Sequence, residues 1–288
     1  MATDDEAPRS ALARELAEEA LLRLVRAVGD RGAELVVVGG LVPARLTTVS
    51  PAVHIGTTDV DIVVDLALVW DRDEQDFGWL ERGLREAGFD EDLRSGGGWR
   101  WRTTIEGWSV KVELLCDLRL DPSWGPHPLP GCARASAINL PGPAAARRDA
   151  VMLPVRGRST DPAELRSVRH AGLGGYLVAK ASAVVRRGEA RDRYDFAFVL
   201  IHNDDGGPTA ASEAVARLGS DVVDHDVRTC LDAAIALFVD ADRPGAREYA
   251  SGMTAAGDPT EEAVLLEDAT SAALEFRAHL EVLLPRLR

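Results

Sequence analysis

Apolar positions recur at helical spacing near the start of the chain. In "SALARELAEEALLRLVRAVG", residues 10–29, Leu12, Leu16, Leu21, Leu24, Val25 and Val28 fall on or near one stripe. Ser10 is placed to cap this helix, and Gly29 or Gly32 to end it. The pattern then changes. "ELVVV", 34–38, is a short continuous apolar run, which predicts a fully buried strand, and it stops on Gly39-Gly40. "LVPARLTTVS" follows and predicts a helix opening, then a loop. A second buried strand is predicted over 59–66 and a helix over 73–89. "WRWRTTI", 99–105, and "WSVKVELLCD", 108–117, alternate with period two around "EG" at 106–107, which predicts a hairpin. In its second arm Val110, Val112 and Leu114 share one face, and Lys111, Glu113 and Leu115 share the other.

The Pro- and Gly-rich stretch 118–131 reads as loop, and short extended pieces are expected near 134–140 and 150–156. From Asp161 onward everything outside the Gly- or Pro-rich joints reads as helical. No internal repeat is visible. The expected class is α+β. A small mixed sheet flanked by helices fills residues 1–158, and a C-terminal helical bundle fills 159–288. The element order is not a regular βαβ alternation, which disfavours a doubly wound sheet.

Composition narrows the classes. Apolar residues make up 46% of 288 positions, enough for a proper core. The acidic start "MATDDEAPRS" has neither the basic nor the apolar region of a signal peptide. No apolar run approaches the roughly 20 residues that span a bilayer. A cytoplasmic protein with no membrane partner is expected. Cys116, Cys132 and Cys230 show no metal-ligand spacing and read as reduced thiols.

The net charge of −14 argues against indiscriminate nucleic-acid binding. Between Arg134 and Asp195, however, twelve basic residues face six acidic ones, a local +6 that suits an anionic ligand. Of 33 basic residues only Lys111 and Lys180 are lysines. In so Arg-rich a chain a lysine marks a position where a compact point charge is needed.

The candidate chemistry starts at Asp59 and Asp61. One residue apart on a strand, they project from the same face about 7 Å apart. Two carboxylates on one face repel, and a divalent cation resolves the repulsion. Mg²⁺ prefers oxygen ligands and commonly takes one or two carboxylates together with substrate phosphates. Glu113, on the polar face of "VKVELL", is the third carboxylate expected to complete the site. Gly39-Gly40, ending a strand and opening a helix, would present backbone N–H groups to a phosphate. The glycine patterns of dinucleotide folds and P-loops are absent.

The succession "VVVGG", "TTDVDIVV" and "VKVELL" resembles the nucleotidyltransferase superfamily with the polymerase-β-like fold. Here the gap between the glycines and Asp59 is longer than the common form. The second Gly stands where Ser is frequent, and Thr57 or Thr58 is expected to supply the missing hydroxyl. "YLVAKASAVVRRGEARDRYDFAFVL", 176–200, is similar to the corresponding block of AbiEii-type nucleotidyltransferase toxins. Glu189 departs from the arginine often found there.

The resemblance implies an enzyme moving an NMP from an NTP to an acceptor hydroxyl. Mg²⁺ would sit on Asp59, Asp61 and Glu113. Gly39, Gly40, Thr58 and Lys180 would hold the nucleotide, with Asp192 catalytic and Asp195 nearby. The implied acceptor is a tRNA 3′ end or a protein, and the implied partner is a cognate antitoxin. A small-molecule nucleotidyltransferase of the aminoglycoside type, or a non-catalytic nucleotide-binding or antitoxin-type partner on the same fold, would carry much the same motifs.

Overall fold

A computed structural model describes residues 10–50, 52–66, 75–118, 125–155, 157–158 and 165–284. The expected starts and joints at 1–9, 73–74, 119–124, 156 and 159–164 lie outside the described residues. The architecture is mixed α/β, consistent with the α+β class. It divides into two compact units. The first comprises residues 1–41, 56–143 and 150–170; the second comprises 42–55, 144–149 and 171–288.

The first unit is a mixed sheet with helices on one face. Its strands are β1 (Val36–Val38), β2 (Asp59–Val63), β3 (Asp90–Glu91), β4 (Arg100–Ile105), β5 (Trp108–Cys116), β6 (Gly125–Pro128), β7 (Ser136–Asn139), β8 (Val151–Val155) and β9 (Arg166–His170). The main path runs β3-β4-β5-β2-β1-β9-β8, and β7 also pairs with β5 and β6. β2 lies antiparallel to β1 and parallel to β5.

Helix α1 (Ala11–Val28) begins at Ser10, whose hydroxyl accepts from the Ala13 amide. Its buried stripe joins α3 (Gly78–Glu86) and the inward side chains of the sheet in one core. Val37, Val60, Ile62, Trp101, Val112, Leu114, Val155 and Val168 all belong to that core. By strand alternation, Asp59, Asp61, Arg100, Arg102, Lys111 and Glu113 therefore lie on the opposite face.

The second unit is helical. It holds a single turn, α2 (Pro43–Leu46), and helices α4 (Leu173–Arg187), α5 (Ala190–His202), α6 (Gly207–Arg217), α7 (His225–Ile235), α8 (Pro244–Ala255) and α9 (Glu262–Leu283). α4 packs on α5, α6 and α7, and α9 packs on α6 and α8. Asp149 accepts from the amides of Gly172 and Gly175 and so caps α4. Burial nevertheless holds its carboxyl above the ordinary range, against the pull of those amides.

Several boundaries differ from expectation. β6 lies inside the stretch read as loop. "GPHP" carries two prolines, but as the outer partner of β7 it tolerates missing donors. β9 lies in the part read as helical. "RSVRH" alternates, with Val168 and His170 inward and Arg169 outward, and its arginines disguise the period. The division by packing falls at His170 rather than at 158, because β9 pairs with β1 and β8. α3 begins at Gly78, and β2 ends at Val63.

Candidate functional site

The glycines ending β1 form a 3₁₀ turn, Gly39–Leu41, against the start of β2. Gly39 has φ +68°, and a Cβ there would lie 1.8 Å from Asp61 Oδ2. A Cβ at Gly40 would lie 2.3 Å from Thr57 Oγ1. Both glycines are thus demanded by close approach, and at Gly39 the backbone conformation adds a second reason. The Asp61 carboxylate occupies the space that any larger residue at position 39 would fill.

Thr57 and Thr58 shape the strand entry. The Asp59 amide donates to Thr57 Oγ1 at 3.2 Å, and Thr58 Oγ1 lies 3.4 Å from Asp59 Oδ1. The hydroxyl expected to meet a phosphate at Thr58 is therefore directed to the neighbouring aspartate, and both threonines are buried.

Register sets the rest of the charged face. Asp61 stands beside Glu113, and Asp59 beside Lys111, across the parallel β2–β5 ladder. At ladder spacing the Cα atoms of Asp61 and Glu113 are about 4.8 Å apart. Across the antiparallel β4–β5 ladder, Arg100 stands opposite Glu113 and Arg102 opposite Lys111. Arg100 donates to Glu113 Oε1 at 2.5 Å, and Arg102 donates to Asp92 at 2.8 Å. Glu113 is 6% exposed, so its pairing with Arg100 is only partly screened by water.

The three carboxylates expected to bind metal thus share one face. Among the described residues, however, no three His, Cys, Asp or Glu side chains form a group able to hold a metal ion. The Glu113 carboxylate is directed to Arg100. The donor set itself suits a hard cation: two aspartates on one strand, and a glutamate beside one of them.

The predicted Lys180 and Asp192 belong to the second unit, where they bond to each other. Lys180 Nζ, buried between α4 and α5, donates to Asp192 Oδ1 at 3.0 Å and Asp195 Oδ2 at 3.1 Å. Arg187 also donates to Asp192 Oδ1, at 3.0 Å, while Asp192 Oδ2 is buried with no hydrogen-bond partner among the described residues. Burial by itself would lower the Lys180 pKa, but the two aspartates outweigh it and hold the ammonium above its ordinary value. Burial would likewise raise Asp192, but Lys180 and Arg187 hold it below the usual carboxylate range.

Sequence reasoning missed His54. Its Nε2 lies 2.9 Å from Asp195 Oδ1, and its ring stacks on Tyr194, with centroids 5.6 Å apart. Asp204 accepts from the amides of Thr48 and Val49 and from the Thr48 hydroxyl. Most of the gap between Gly40 and Asp59, residues 42–55, therefore belongs to the helical unit, where Asp195 and Asp204 meet its His54, Thr48 and Val49. The partners of each pair lie more than a hundred residues apart in the chain, as the His54–Asp195 separation of 141 shows, and no local signal marks them. Arg100 and Arg102 were equally silent, because only strand register places them beside the carboxylates.

No protein-family model matches the chain, and no curated protein is similar to it in sequence. No described helix is long and apolar enough to cross a membrane. Cys116, Cys132 and Cys230 form no disulfide with one another.

Proposed function

We propose that this chain is a Mg²⁺-dependent nucleotidyltransferase of the polymerase-β-like kind, moving an NMP from an NTP to an acceptor hydroxyl. The observation that carries the reading is the position of Asp61. It stands beside Glu113 in the β2–β5 ladder, shares a face with Asp59, and packs against Gly39 at the end of the neighbouring strand. Carboxylates and a glycine turn converge there on one strand end.

Asp59 and Asp61 would hold the cation, with Glu113 next in line. A bound divalent cation supplies charge stabilisation at the triphosphate and at the leaving oxygen. The Gly39–Leu41 turn lies against Asp61 and Thr57, and in this reading its backbone amides would meet the phosphates. The acceptor oxygen bonds to the α-phosphorus as the bond to pyrophosphate breaks, and the acceptor proton passes to a nearby base. Asp192 accepts from Lys180 and Arg187 within the helical unit. The reading therefore gives Lys180, Asp192 and Asp195 the task of fixing α4 to α5.

The similarity of residues 176–200 to AbiEii-type toxins supports a tRNA 3′ end or a protein as acceptor and an antitoxin as partner. The test is incubation of the wild type and Asp61→Ala with each α-labelled NTP, Mg²⁺ and total RNA. Asp61-dependent label on RNA supports an RNA acceptor, and label on protein redirects the acceptor to protein. Absence of any Mg²⁺-dependent NTP binding overturns the reading.

A further inference from the structure

Arg100 has no task in the reaction described above, yet it touches the site directly. Its guanidinium donates to Glu113 Oε1 at 2.5 Å and lies over the Trp99 ring, 4.5 Å from the centroid. Its Nε is buried and has no hydrogen-bond partner among the described residues. Arg102 bonds to Asp92, and Lys111 stands beside Asp59 in the ladder. Arg100 is thus the cation on the third carboxylate, and Glu113 is the neighbour of Asp61.

Charge and geometry make this pairing conditional. A divalent cation arriving at Asp61 and Glu113 repels a guanidinium already on Glu113. A triphosphate attracts it. The guanidinium fork matches phosphate oxygens as well as carboxylate oxygens, and the unpartnered Nε–H is one more donor for such an anion. Trp99 supports the planar group from one side, so it can change partner by a small swing rather than by a rotation of its whole side chain.

We propose that Arg100 is a positioning residue with two alternative partners: Glu113 while the site holds no nucleotide, and a phosphate oxygen of the NTP once it binds. Glu113 is thereby released to the metal only when nucleotide is present, which keeps the empty enzyme from binding cation strongly. The inference rests on the nucleotidyltransferase reading.

The experiment measures Mn²⁺ binding by electron paramagnetic resonance on the full chain. It compares the wild type with Arg100→Gln, Arg100→Lys, Asp61→Asn and Glu113→Gln. Without nucleotide, Arg100→Gln should bind Mn²⁺ roughly tenfold more tightly than wild type, the size of one partly screened ion pair. Arg100→Lys keeps the charge and should stay near wild type. In a Glu113→Gln background, the further change Arg100→Gln should have no effect. In EDTA, Arg100→Gln should also bind α,β-methylene NTP analogues roughly tenfold more weakly. If Asp61→Asn weakens Mn²⁺ binding while Arg100→Gln leaves it unchanged, the inference falls and the enzyme reading stands. If Asp61→Asn has no effect, or no protein binds Mn²⁺, both fall together.

Discussion

Asp61 and Gly39 compete for one volume, since a methyl group on Gly39 would lie 1.8 Å from Asp61 Oδ2. The glycine also has φ +68°, a conformation that L residues adopt only under strain. Gly39→Ala should therefore cost about 2–4 kcal/mol in chemical denaturation, from strain and overpacking together. Gly40→Ala meets the Thr57 side chain first, at an ordinary backbone conformation, and should cost less. Equal losses for the two variants would mean that the Asp61 carboxylate is free to move aside.

Lys180 holds two buried carboxylates in the helical unit. Lys180→Met removes the ammonium that bonds to both Asp192 and Asp195, while Arg187 still donates to Asp192 and His54 still meets Asp195. The expected loss is about 3–5 kcal/mol, as for other buried pairs broken from one side. Adding Asp192→Asn to Lys180→Met should recover part of that loss, because it removes a buried charge left short of partners. Urea denaturation of the two variants checks this, and a double variant less stable than the single one contradicts it.

The same cluster fixes the direction of the pH dependence. Asp192 is held below 3.8 in the folded chain, so the unfolded chain takes up the proton first. Its contribution is complete above that value and is lost as pH falls through the lower folded one. Lys180 is held above 10.5, so its contribution is complete below that value and is lost as pH rises through the higher folded one. Asp149 has the opposite sign to Asp192. Its carboxyl is held above 3.8 by burial, so protonation there favours the folded chain and softens the acid limb. Denaturation midpoints against pH should show a plateau with two falling limbs, and Asp192→Asn should flatten the acid one.

Much of the first unit was legible because short apolar runs and period-two patterns survive in sequence. "LVVVGG", "TTDVDIVV" and "VKVELL" announced β1, β2 and β5, and the one-residue spacing of Asp59 and Asp61 announced a shared face. What the sequence left open was register. That Asp61 falls beside Glu113, and that Arg100 falls on Glu113, depends on how strands slide past one another, and a slip of one residue would reverse both. β9 stayed hidden because exposed arginines interrupt its apolar alternation. His54 stayed hidden because its partner is on a helix far along the chain. Lys180 stood out only by its rarity in an Arg-rich chain, and rarity alone does not say whether a charge faces a ligand or a neighbouring helix.

The insert 42–55 has a consequence for the order in which the molecule can be made. The chain leaves the sheet unit at Leu41, contributes a short piece to the helical unit, and returns at Gly56. A ribosome delivers His54 long before it delivers Asp195, and Thr48 long before Asp204. The nascent insert must wait, unpartnered, while most of the sheet is synthesised. Long-range closures of this kind are slow relative to local ones. The helical unit can finish only after α5 has emerged, and a fragment starting at residue 171 would lack the histidine and threonine that two of its aspartates hold.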